Sequence, residues 1–176
     1  MTKNYIGTFI ANNIDILLKF LVSMFLARKL LPEDFGLMAI TIAIVSILKS
    51  IVQLGFGSAI IQFNGPRLKE RFSTIFWFNI VISILMFTSL NFLAPFISSV
   101  FQTRVLENIV KVVSVIIIFE ALILVQRSYL VKTLKFKLIN QRLIISGFIS
   151  GIIGCLMAYN DFGVWSLVAM SISSSL

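Results

Sequence analysis

Six apolar runs follow one another along the chain, at about 6–26, 35–54, 72–97, 109–129, 143–159 and 164–176. A helix rises about 1.5 Å per residue, so a run of some twenty residues measures ~30 Å, the thickness of a bilayer's hydrocarbon core. The runs do not alternate strictly between apolar and polar residues, which predicts helices rather than a membrane barrel. The sixth holds only 14 residues counted from Gly163, too few to cross, and reads as truncated. The expected fold class is therefore an all-α membrane protein, a polytopic bundle of transmembrane helices with five full spans and a partial sixth.

The first run carries polar residues that an isolated span would not. Thr8, Asn12, Asp15, Lys19 and Ser23 recur at spacings of 4, 3, 4 and 4, so on a 3.6-residue helix they share one face. Its twelve Ile, Leu, Phe and Val residues favour insertion by roughly 5 kcal/mol in total, while Asp15 and Lys19 each cost about 2.5–3.5 kcal/mol near the centre. The two sums nearly cancel. The helix is expected to turn this stripe toward companion helices, with Asp15 and Lys19 paired one turn apart. Two readings stay open: a pair that serves helix packing, or the charged lining of a cavity made by Asn12, Asp15, Lys19 and Ser23. Glu120, midway along the fourth run, belongs to the same candidate set. It has no partner within its own helix, and Lys19 or Lys49 is the available cation. Lys49, in the last third of the second run, is expected to snorkel toward the surface instead.

Connections follow from local chemistry. Pro32 followed by Glu33 and Asp34 predicts the first turn of a helix, where proline and acids are tolerated or favoured. Pro95 is expected in a short exit after the third span. Leu130, Leu134 and Leu138 recur every fourth residue through a basic connection, as in an amphipathic helix lying on the membrane surface. Its basic residues either fix topology alone or contact a headgroup or diphosphate through Lys132, Lys135 and Lys137. In the fifth run Ser146, Ser150 and Gly154 lie four apart, as do Gly147 and Gly151. Such spacing permits close helix contact in lipid. Asn160-Asp161-Phe162-Gly163 reads as a tight turn.

Composition narrows the function. The chain is 59% hydrophobic and 12% charged, with a mean hydropathy of +1.03, unlike a soluble domain at ~45–50% apolar and ~25% charged. The formal charge of +8 does not point to nucleic acid, because the basic residues sit between apolar runs rather than in one patch. With the N-terminus inside, nine basic residues fall on inner segments and three on outer ones, predicting a cytoplasmic N-terminus. The first run is too long and too charged for a cleavable signal. There is no histidine and one cysteine, Cys155, so no intrachain disulfide is expected, nor any metal site or cofactor. Gly55-Phe56-Gly57 fails as a nucleotide motif, since position 60 is isoleucine.

Four segments together resemble a known family: Leu26-Ala27-Arg28-Lys29-Leu30-Leu31-Pro32-Glu33-Asp34-Phe35-Gly36, Gly55-Phe56-Gly57-Ser58-Ala59-Ile60-Ile61-Gln62, Thr74-Ile75-Phe76-Trp77-Phe78-Asn79 and Asp161-Phe162-Gly163-Val164-Trp165-Ser166-Leu167. They resemble the Wzx-type flippases, the polysaccharide-transporter branch of the multidrug/oligosaccharidyl-lipid/polysaccharide exporter superfamily. The resemblance implies two pseudo-symmetric bundles around a cavity, of which this chain would be most of the first. It implies a bacterial cytoplasmic (inner) membrane location and an undecaprenyl-diphosphate-linked oligosaccharide as substrate, for O-antigen, capsule or exopolysaccharide synthesis. Implied partners are membrane lipids, a polysaccharide polymerase and chain-length proteins. No family motif assigns roles to the charged residues named above. The alternatives are a related drug or ion antiporter, an inactive membrane fragment, or a membrane enzyme. Against the last stand the absent histidine, the lack of a clustered aspartate motif and the lack of a large outer loop.

Overall fold

A computed structural model describes residues 13, 16, 17, 20–53 and 68–175. The described residues are helical with short breaks, and no strand occurs among them. The helices are α1 (20–29), α2 (Pro32–Gln53), α3 (Leu68–Val100), α4 (Arg104–Val113), α5 (Val115–Lys132), α6 (Phe136–Tyr159) and α7 (Val164–Ser175). Four stretches are long and apolar enough to cross a membrane: Pro32–Gln53, Phe72–Val100, Arg104–Lys132 and Phe136–Tyr159. The all-α membrane helix bundle is thus the observed fold class.

Two compact units divide the chain, one holding the described residues up to Ile40 and from Lys135 on, the other Thr41–Leu134. In the first unit α6 and α7 pack along each other. Glycine lets them approach: a Cβ at Gly154 would lie 3.2 Å from Met170 Cβ, and one at Gly151 would lie 2.9 Å from Val22 Cγ2 on α1. The start of α2 carries half of a capping box. The Asp34 carboxylate accepts the Leu31 amide at 3.2 Å, the third helical residue reaching back to the residue before the helix. Beside it runs the α6–α7 turn, where Gly163 sits at φ +56 with the Asp34 carboxylate 4.0 Å from its would-be Cβ. The two Asp-Phe-Gly segments of the sequence therefore meet. The Arg142 guanidinium donates to the Ser175 carbonyl at 3.2 Å, where a cation complements the C-terminal end of α7.

In the second unit α3 runs antiparallel to α4 and α5. Successive contacts trace the register: Phe72 edge-on to Tyr129 at 6.1 Å, Asn79 against the Ala121 carbonyl, and Asn91 donating to Ser114 Oγ at 3.2 Å. Asn79, Ser83, Leu90, Ala94 and Ser98 are all buried, a row of mostly small or polar side chains along one face of α3.

Several boundaries differ from expectation for one shared reason. α3 runs through Pro95 to Val100, not into an exit loop. It ends in a Schellman motif, with Thr103 N–H donating to the Ser98 carbonyl and Gln102 N–H to that of Ser99. Gln102 takes the left-handed conformation at φ 52. Leu134 does the same at φ 55, so the leucine repeat is split between α5 and α6 and builds no single surface helix. α6 closes similarly: Phe162 N–H donates to the Met157 carbonyl, Asp161 N–H to that of Ala158, with Asp161 at φ 58. These left-handed positions are normally glycine, so nothing in the residue types announced the first two.

Candidate functional site

The polar chemistry gathers in the second unit. On α2, Met38, Thr41, Val45 and Val52 are buried at helical spacing, and Lys49 falls on the same face. Its ammonium donates to Glu120 Oε1 on α5 at 2.8 Å. Both side chains are about a quarter exposed, 27% and 25%. Glu120 lies 16 residues from Arg104 and 12 from Lys132, so it stands roughly 24 and 18 Å from the ends of that span. A charge so deep in hydrocarbon costs several kcal/mol unless matched. The link across 71 positions of sequence matches it. The expected snorkelling of Lys49 does not occur: a carboxylate one helix away offers a stronger partner than a distant headgroup.

Next to the pair, Asn79 on α3 is fully buried. Its amide donates to the carbonyl of Ala121, the residue after Glu120, at a long 3.4 Å. Its Oδ1 has no partner among the described residues. Three helices thus converge on one turn of α5 with a cation, a carboxylate and an unpaired amide oxygen. Sequence reasoning assigned Asn79 no role, although an amide amid the apolar third run was a visible signal, as was Asn91. A second polar link joins the same helices further along: Asn91 donates to Ser114 Oγ, and that hydroxyl donates to the Lys111 carbonyl at 2.6 Å. Lys111 itself pairs with Glu107 one turn away at 2.6 Å.

The other predicted site residues fare differently. Asn12, Asp15 and Lys19 lie outside the described residues. Ser23 is exposed and its hydroxyl donates to the Phe20 carbonyl within α1. Lys132 rests its ammonium 5.9 Å from the Phe72 ring centroid, while Lys135 and Lys137 are exposed. Among the described residues no group of three or more His, Cys, Asp or Glu could hold a metal.

Comparison with known proteins sets this arrangement in a family. Over 159 residues, 90% of its length, the chain is 29% identical to the succinoglycan biosynthesis transport protein ExoT of Rhizobium meliloti (strain 1021). It spans about a third of that curated relative, 32%. No solved structure matches. The family model described as "Polysaccharide biosynthesis protein" matches residues 25–176, which takes in the charged pair, Asn79 and both Asp-Phe-Gly segments. A multi-pass helical membrane chain with this match belongs to the polysaccharide biosynthesis protein family.

Proposed function

We propose that the chain forms most of one helical bundle of a flippase that moves undecaprenyl-diphosphate-linked oligosaccharides across the bacterial cytoplasmic membrane. It serves O-antigen, capsule or exopolysaccharide synthesis, with the N-terminus cytoplasmic and no catalysis of its own. The observation that carries the reading is the Lys49–Glu120 pair at mid-depth, in a chain whose relative is a transport protein. Intramembrane charges mark substrate or ion pathways more often than scaffolding. In this reading a sugar-diphosphate needs a wet, charged path, and its lipid tail stays in the bilayer. Asn12, Asp15, Lys19 and Ser23 line that path together with Glu120, and Lys132, Lys135 and Lys137 meet the headgroup or diphosphate. The transported lipid arrives from glycosyltransferases and leaves to a polymerase and chain-length proteins.

The test is translocation of a fluorescent lipid-linked oligosaccharide in vesicles containing the chain with whatever its reading frame adds. Transport should fall at least about ten-fold in Glu120→Gln, the effect of ~1.4 kcal/mol on the rate-limiting step. The swap Lys49→Glu with Glu120→Lys should restore part of it. Vesicles in which a drug or ion moves but the lipid-linked sugar does not would overturn the proposal.

A further inference from the structure

Between α1 and α6 of the first unit lies an apolar slot of about 170 Å³, lined by Val22, Gly147, Phe148, Gly151, Ile152 and Cys155. Phe148 and Ile152 on its rim are exposed, so it opens outward from the unit. At ~30 Å³ each, it has room for roughly six groups the size of a water or methylene, which is a chain rather than a helix.

What closes one end is charged. Tyr159 continues the Cys155 face of α6 one turn on, and Lys29 lies two turns beyond Val22 on the same face of α1. The Lys29 ammonium stands over the Tyr159 ring, 5.5 Å from its centroid. A cation and a phenol thus bridge the two helices at the mouth. The lining from Gly147 to Cys155 covers 8 residues, about 12 Å of helix, within the ~15 Å of one leaflet of hydrocarbon. Glu33 and Asp161 are exposed near the same helix ends, and Asp34 is tied to the Leu31 amide. Among the described residues Lys29 is the cation held between the slot's two walls.

We propose that this slot binds one acyl chain of an anionic phospholipid, with the phosphate at Lys29, in the leaflet that the α6–α7 turn faces. The slot holds about six carbons of such a chain and fits within the depth of one leaflet, and the ammonium selects headgroup charge. The inference rests on the membrane reading and not on the identity of the transported substrate.

Cys155, the chain's single cysteine, reports occupancy from inside the slot. Its alkylation by N-ethylmaleimide is followed by mass spectrometry on the detergent-solubilised protein, with added phosphatidylglycerol, phosphatidylcholine or a polyprenyl phosphate. Phosphatidylglycerol should slow alkylation about five-fold more than phosphatidylcholine, the selectivity expected of one basic residue at an anionic headgroup. Lys29→Arg should keep the difference and Lys29→Gln should abolish it. Arg28→Gln, off that face, should leave it unchanged. Equal slowing by the two phospholipids, or slowing by polyprenyl phosphate alone, overturns the proposal. Because the wild-type comparison decides, loss of folding in a variant does not blunt the test.

Discussion

The two units hold helices together by opposite means. In the first, contact is made by absence: Gly151 and Gly154 remove side chains so that α1 and α7 can press against α6. In the second, contact is made by polar links: Lys49 to Glu120, Asn79 to Ala121, Asn91 to Ser114. Lipid tails are as apolar as leucine, so apolar burial alone barely favours helix association in a membrane. Close van der Waals packing and interhelical hydrogen bonds are the remaining forces, and each unit leans more on one, although Arg142 also links α6 to α7 in the first. A glycine contact has essentially one good geometry. An ion pair spanning two helices can break and reform.

That contrast can be broken where it is strongest. Gly154→Leu drives a side chain into Met170 and should destabilise the first unit by about 3 kcal/mol, the upper range for overpacking. Thermal unfolding of the detergent-solubilised protein measures this, and no loss would mean that the glycine contact is dispensable. Glu120→Gln strands the Lys49 ammonium and should cost about 2 kcal/mol, less than the ~3–5 of a fully buried pair because both side chains are about a quarter exposed. The Lys49→Glu, Glu120→Lys double variant should recover more than half of that loss in the same assay.

A smaller effect should be common to both units. Gln102→Gly relieves a left-handed glutamine and should stabilise by about 1 kcal/mol, and Asp161→Gly by less, because aspartate visits that conformation more readily. An equal rise in unfolding temperature would show that residue type does not set the strain at these helix ends. The smallest change expected is Asn79→Leu. Its one hydrogen bond is long and its Oδ1 unpaired, so stability should shift by no more than ~0.6 kcal/mol, the mean for interhelical bonds in a membrane. In the vesicle assay of the proposed function, transport should fall all the same if the amide serves the path. Unchanged transport would reduce Asn79 to a packing residue.

Much of this was legible along the chain. The long apolar runs predicted the membrane helices, because hydrocarbon accepts little else and a helix satisfies its own backbone. Pro32-Glu33-Asp34 announced the start of α2, and Asn160–Gly163 the turn after α6, since capping and turn chemistry are local. Glu120 was visible as a charge without a partner in its own helix, and Lys49 was one of two cations in reach. The choice between snorkelling and pairing was not legible, because it compares a distant headgroup with a carboxylate on another helix. The endings at Gln102 and Leu134 were hidden for a related reason: hydrogen bonds to the preceding turn override residues that carry no left-handed preference.

Residue order alone therefore determined which segments enter the membrane and which charges need company there, since both depend on transfer from water and on neighbours within a turn. Only tertiary structure decided that Glu120 meets Lys49 across 71 positions, that Asn79 lies beside them, and that Lys29 closes a slot over Tyr159. Those pairings depend on how separate helices are set side by side. The pattern within any one helix carries no information about the rotation and depth of its neighbour.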